Sequence, residues 1–153
     1  MGYVVAFAGR RDFYQVPIAL VECGLLDAFC TDFYFDPKSV WQALLVPRRF
    51  RRRYAPELDK KVIYTSLSET CIQALSYFGG FDLERTFSWV DSDIGRRARA
   101  IAAKTNSDIL SYSNYALESF SDPRFAKRKK ILFLYHPHTK LSFKILEDDC
   151  NLS

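Results

Sequence analysis

The chain's two histidines stand either side of one proline, His136-Pro137-His138, directly after an apolar run. Imidazole changes charge near neutral pH, so a histidine at a strand end is placed to act as general acid or base, or to donate to a charged substrate. His136 is the candidate catalytic residue and His138 a candidate substrate contact. A metal is the other use of such a pair. Nothing nearby supplies the further ligands that zinc's four-coordinate habit requires, so no metal is expected.

A second group is Gly9-Arg10-Arg11-Asp12. Glycine permits a tight turn, a following helix would offer N-terminal N–H groups to an anion, and Arg10 and Arg11 would add direct phosphate contacts. Neither the G-x-G-x-x-G spacing nor the P-loop string is present, so a stable NAD or FAD cradle is not expected. A third group, Tyr112-Ser113-Asn114-Tyr115, offers hydrogen bonds suited to sugar hydroxyls. Tyr112 and Ser113 are the candidate contacts there, although Ser113 or Asn114 equally suits the cap of a following helix. The chain has no G-x-S-x-G elbow and no cysteine in a catalytic signature, so covalent catalysis by serine or cysteine is not expected.

Arg48, Arg49, Arg51, Arg52 and Arg53 fall within six residues, and Lys127 to Lys130 form a second basic run, in a chain of net charge +4. Such patches suit an anionic membrane surface or a phosphorylated ligand, and a solvated helix end is the ordinary alternative. Nucleic acid is not the expected partner, because these arginines are not interleaved with aromatics in a stacking motif.

The elements that would position these groups alternate. Strands are expected over 3–8, 29–35, 62–65, 108–113 and 131–135, from short apolar or β-rich runs closed by turn residues. Helices are expected over 12–24, with Pro17 in the first turn and Gly24 as the stop, and over 40–46, capped by Ser39. Further helices are expected over 66–78, from the Ser66-x-x-Glu69 capping box, and over 91–104, where Asp91 and Asp93 favour the positive end. Shorter ones are expected over 115–120 and 141–148. This alternation predicts a single α/β domain over 1–153: a Rossmann-like, mostly parallel sheet with helices on both faces. Ligands then gather beyond the carboxyl ends of the strands, where the strand order switches.

With 153 residues, 48% of them apolar and 16% aromatic, the chain has material for one packed core and is unlike a disordered segment. Cys23, Cys30, Cys71 and Cys150 form no C-x-x-C pair, so reduced, mostly buried thiols are expected. Met1 leads straight into the first strand, and no apolar run nears the ~20 residues of a membrane span. A cytoplasmic protein is therefore expected, peripheral to the inner face of the membrane if the arginine run engages lipid.

Residues 4–20 (VVAFAGRRDFYQVPIAL) followed by 31–35 (TDFYF), together with Asp93-Ile94-Gly95-Arg96-Arg97, 108–120 (DILSYSNYALESF) and 131–138 (ILFLYHPH), resemble the N-terminal domain of bacterial glycosyltransferases of the GT-B fold, in the family 4 group. The resemblance runs over nearly the whole chain, as an order of segments. It implies two Rossmann-like domains facing a cleft, the first mainly holding the sugar acceptor and the second the nucleotide-sugar. It further implies that Gly9 and Arg10 lie near the donor phosphates and that His136, with His138 in reserve, approaches the reacting sugar. Transfer would retain configuration, with no metal or other cofactor. The leaving phosphate would be stabilised by positive groups, largely from the other domain. That family's second domain carries a Glu-x7-Glu pair, and no two glutamates of this chain are eight apart. The resemblance thus implies a truncated domain, with further strand and helix due after Glu147 and turnover requiring the donor-binding half. An unfinished sheet would leave an exposed edge, from which self-association is expected.

Overall fold

The structure is a computed structural model and describes residues 2–64 and 83–134. The expected helices over 66–78 and 141–148, Tyr135, His136 and His138 lie outside those residues.

Strand β1 (Tyr3–Ala6) is followed by a 3-10 turn (Arg11–Tyr14), α1 (Gln15–Glu22), β2 (Leu26–Thr31) and α2 (Val40–Leu45). Then come β3 (Val62–Tyr64), the long α3 (Leu83–Thr105), β4 (Asp108–Tyr112), the short α4 (Leu117–Phe120) and β5 (Lys130–Phe133). The five strands form one all-parallel sheet in the order β3-β2-β1-β4-β5. This is the Rossmann-like α/β architecture expected from the alternation. The chain steps outward from β1 to β2 to β3 and then returns past β1 to β4. Because parallel crossovers are right-handed, α1 and α3 are assigned to opposite faces of the sheet.

β1 sits at the centre, with Val4, Val5 and Ala6 fully buried, as the middle strand of a doubly covered sheet must be. α3 lies against β1, β2 and β4 through the small, buried Ala98 and Ala102 and through Ile94. At Gly95 a side chain would not fit, since a Cβ there would meet the Tyr115 carbonyl oxygen at 2.8 Å and a Glu118 carboxylate oxygen at 2.9 Å. Gly24, at φ +67°, ends α1 in a left-handed turn, with Gly24 N–H donating to the Val21 carbonyl (2.9 Å) and Leu25 N–H to that of Leu20 (2.7 Å). Ser39 caps α2 as expected, accepting from Gln42 N–H.

Several boundaries differ from the sequence expectation, each for a physical reason. β2 starts at Leu26 and not at 29, because Leu26 pairs with Tyr3 of β1; Asp27, a residue poorly suited to strands, is accommodated as its carboxylate accepts from the Ser107 hydroxyl at 2.5 Å. The aromatic stretch Phe33, Tyr34, Phe35 lies beyond the strand; Tyr34 is buried there, donating to the Ala55 carbonyl at 2.5 Å. α3 starts at Leu83, so Asp91 and Asp93 lie in its interior and not in its first turn. Asp93 instead pairs with Arg97 one turn on, at 2.6 Å. The expected 115–120 helix is a 3-10 turn (Ser113–Tyr115) followed by α4, and neither has a side-chain cap. β5 is an edge strand among the described residues, with Leu132 and Phe133 exposed. Among those residues no helix is long and apolar enough to cross a membrane.

Candidate functional site

The strand order switches between β1 and β4, and the polar residues at their carboxyl ends meet there. The loop leaving β1 turns at Gly9, whose φ of +77° favours glycine. Its N–H donates to an Asp32 carboxylate oxygen at 2.8 Å, and the other carboxylate oxygen accepts from Arg53 at 2.7 Å. Asp32 is buried at the end of β2, and Thr31 donates to it as well (3.2 Å). Asp32 stands 23 residues after Gly9, close to the spacing at which many Rossmann folds place an acid on a ribose. That spacing is the signal by which the sequence alone could have marked it.

Further along the loop, Asp12, Phe13 and Tyr14 all have left-handed backbones, with φ of 47°, 52° and 64°. Each costs on the order of 1–2 kcal/mol in a residue with a Cβ. The turn comes between Gly9 and the start of α1 at Gln15, so the helix N-terminus does not follow the glycine directly. It carries Arg10 to an exposed position, its guanidinium 4.8 Å from the Phe13 ring centre. Asp12 is held by the Tyr112 hydroxyl at 2.8 Å, across from the end of β4. Residues 8–13 and Gln15 line an open cavity of about 610 Å³. Below the loop, Tyr14 is fully buried, and among the described residues its hydroxyl has no hydrogen-bond partner. Burial, only partly opposed by the nearby Arg53, pushes that phenol up to about 12.

Asp91 approaches the same place from α3. Burial raises its carboxyl to about 6, against a hydrogen bond from Tyr115 and the positive field of Arg11. Tyr115 is buried and in turn hydrogen-bonds Arg11 and the Ala8 backbone; burial first, and the Asp91 charge second, raise its own hydroxyl. Asp91, Tyr115 and Arg11 thus form a chain from helix to loop, with Arg11 also donating to the Ala8 carbonyl at 3.3 Å. Asp91 further lines a second, more apolar cavity of about 600 Å³ with Phe87, Ser88, Ser92, Asn114, Leu117 and Glu118.

Of the residues singled out from the sequence, Gly9, Arg10, Arg11 and Tyr112 converge at this switch point. Ser113 is exposed and turns its hydroxyl to Asn114 at 3.4 Å, a contact within its own turn. Arg53 joins the site through Asp32. Arg51 instead donates to the Ala43 (2.7 Å) and Val46 (3.1 Å) carbonyls and so closes the C-terminal end of α2. Arg48, Arg49 and Arg52 are exposed, Arg49 with its guanidinium 4.9 Å from the Phe50 ring centre. Asp32, Asp91 and Tyr14 are the members that sequence reasoning missed, and Tyr115 was marked only as part of the 112–115 group.

The chain matches no family model, no curated protein and no solved structure. The function therefore rests on the site itself. Among the described residues no three of histidine, cysteine, aspartate and glutamate are grouped to hold a metal ion. The buried thiol of Cys30, its proton affinity raised by burial to about 12, is that of a packing residue. What the arrangement offers is two arginines on a strained loop, an acid near neutrality, and tyrosine hydroxyls. Such a set binds an anion and hydroxyl groups, and can move a proton at the Asp91 carboxyl.

Proposed function

We propose that the chain is the acceptor-side domain of a nucleotide-sugar-dependent glycosyltransferase, with its ligand at the switch point between β1 and β4. The observation that carries this reading is a concentration of local costs at one place. Three left-handed residues, a buried tyrosine hydroxyl without a partner among the described residues, and a carboxyl raised to about 6 gather at the loop after β1. Costs that return no stability gather where a ligand is handled. In this reading Arg10 and Arg11 face the donor phosphates. Asp91 exchanges a proton with an acceptor hydroxyl, and Tyr112 holds Asp12 and with it the shape of the loop. His136 and His138 keep the role that the sequence resemblance implies, from the segment after β5.

The test is titration with uridine, guanosine and adenosine diphosphate-sugars, followed by amide shifts. Because the other domain holds most of the donor, signals of residues 9–12 and 112 are expected to move weakly, without saturating, at millimolar ligand, and Arg10→Ala is expected to remove those shifts. Indifference of those signals to every nucleotide-sugar would sink the proposal. One observation favours a second reading, a non-catalytic binding module. Asp32 already takes the Gly9 N–H and the Arg53 guanidinium, two natural contacts for an anion. On that reading nucleotide-sugars leave the loop unmoved while the basic surface still binds a partner.

A further inference from the structure

We propose that α2 and the arginines after it form a docking surface for an anionic lipid bilayer. Four residues of this six-residue helix are large, apolar and strongly exposed: Val40 (69%), Trp41 (74%), Leu44 (71%) and Leu45 (74%). At about 100° per residue, positions 40, 41, 44 and 45 share one side of the helix. The remaining side is held by the chain that flanks the helix. Gln42 accepts from Asp36 N–H at 2.8 Å, and Arg51 grips the Ala43 and Val46 carbonyls. Phe50, against Phe33 with ring centres 6.2 Å apart, and Arg53, on Asp32, anchor the segment that follows. The apolar side is therefore presented on a braced element, and scattered single exposed apolar residues, the ordinary case, do not describe it.

Charge identifies the occupant. Arg48, Arg49 and Arg52 are exposed directly after the helix, and from Ser39 to Ala55 the chain contains no acidic residue. A protruding tryptophan and leucines beside unopposed arginines match a surface with an apolar interior under a layer of negative headgroups. Neither a purely apolar partner nor a purely anionic one would use both halves. The inference does not depend on glycosyl transfer. It adds that the docked segment ends at Arg53, whose partner Asp32 holds Gly9, so the switch-point site stays within one hydrogen-bonded link of the surface.

The experiment is co-sedimentation of the full chain with phosphatidylcholine vesicles, with and without about 30% phosphatidylserine, at low and high salt. A Trp89→Phe variant leaves Trp41 as the only tryptophan, and its emission reports insertion. Expected are binding to the anionic vesicles that falls with salt, a blue-shifted Trp41 emission, and little binding to phosphatidylcholine alone. Replacing Trp41 and Leu44 together by serine should weaken binding at least about tenfold. Arg48→Ala with Arg52→Ala should weaken it about 25-fold, roughly fivefold per arginine. Both variants should keep the wild-type circular dichroism, since the altered side chains are exposed. Failure to bind anionic vesicles at low salt would overturn the proposal, as would unshifted Trp41 emission. So would a dimer abolished by the serine variant in place of vesicle binding, which would make a second copy the occupant, or tight binding to single-stranded RNA that displaces the vesicles.

Discussion

In the loop after β1, arginines and acids are knitted together, whereas after α2 most arginines extend into solvent. Arg11 reaches Tyr115 and the Ala8 carbonyl, and Arg53 and the Gly9 N–H share one buried carboxylate. Arg48, Arg49 and Arg52 have side chains out in water, and only Arg51 of that stretch turns back onto its own helix. In sequence both are arginine runs next to aromatics. What separates them is the environment of the acids. Asp32 is delivered to the first region by β2, 23 residues from Gly9, and Asp91 by α3, while no acid comes with the second. The same side chain fixes a backbone in one place and leaves a charge open to solvent in the other.

The contrast breaks most sharply at Asp32. Asp32→Ala removes the acceptor of Gly9 N–H and strands a partly buried Arg53. The expected loss is about 3 kcal/mol, or roughly 6–12 °C in Tm. A loss below about 1 kcal/mol by thermal denaturation would show that the loop is not held through this carboxylate.

Asp91 sharpens it through pH. Its carboxyl is raised from 3.8 to about 6, so between those values the folded state holds a proton that the unfolded chain has released. Its contribution to stability is therefore present at low pH and is lost as pH rises toward 6 and beyond. Asp91→Asn should flatten that slope and raise stability at pH 7.5 by about 1 kcal/mol after allowance for partial exposure. Destabilisation at neutral pH would mean that Asp91 is held ionised by Arg11 and Tyr115. The smallest effect belongs to the second region. Arg48→Ala with Arg52→Ala should change stability by less than about 0.5 kcal/mol while altering surface binding. A larger drop in chemical denaturation would mean that these arginines brace the fold.

Much of the architecture was legible in local pattern. The apolar runs over β1, β4 and β5, the stop at Gly24, Pro17 in the first turn of α1 and the Ser39 cap follow from steric and hydrogen-bonding preferences that act within a few residues. So did the gathering of Gly9, Arg10, Arg11 and Tyr112, because ligand-facing groups of an alternating chain sit at the carboxyl ends of its strands. Asp91 was misread for the same reason that the rest was read: two acids before a basic, amphipathic stretch look like a helix start. Only the packing of α3 across β1, β2 and β4 turned one of them toward the loop and left the other to pair with Arg97.

By itself, then, the order of residues determined the α/β class, most element positions and the polarity of each strand end, since these depend on neighbours along the chain. The tertiary structure alone decided the strand order, the meeting of Asp32 and Asp91 with the Gly9 loop, the burial of the Tyr14 hydroxyl, and the exposure of Trp41, Leu44 and Leu45. Those depend on which distant surfaces remove which groups from water, and desolvation is a property of the assembled fold.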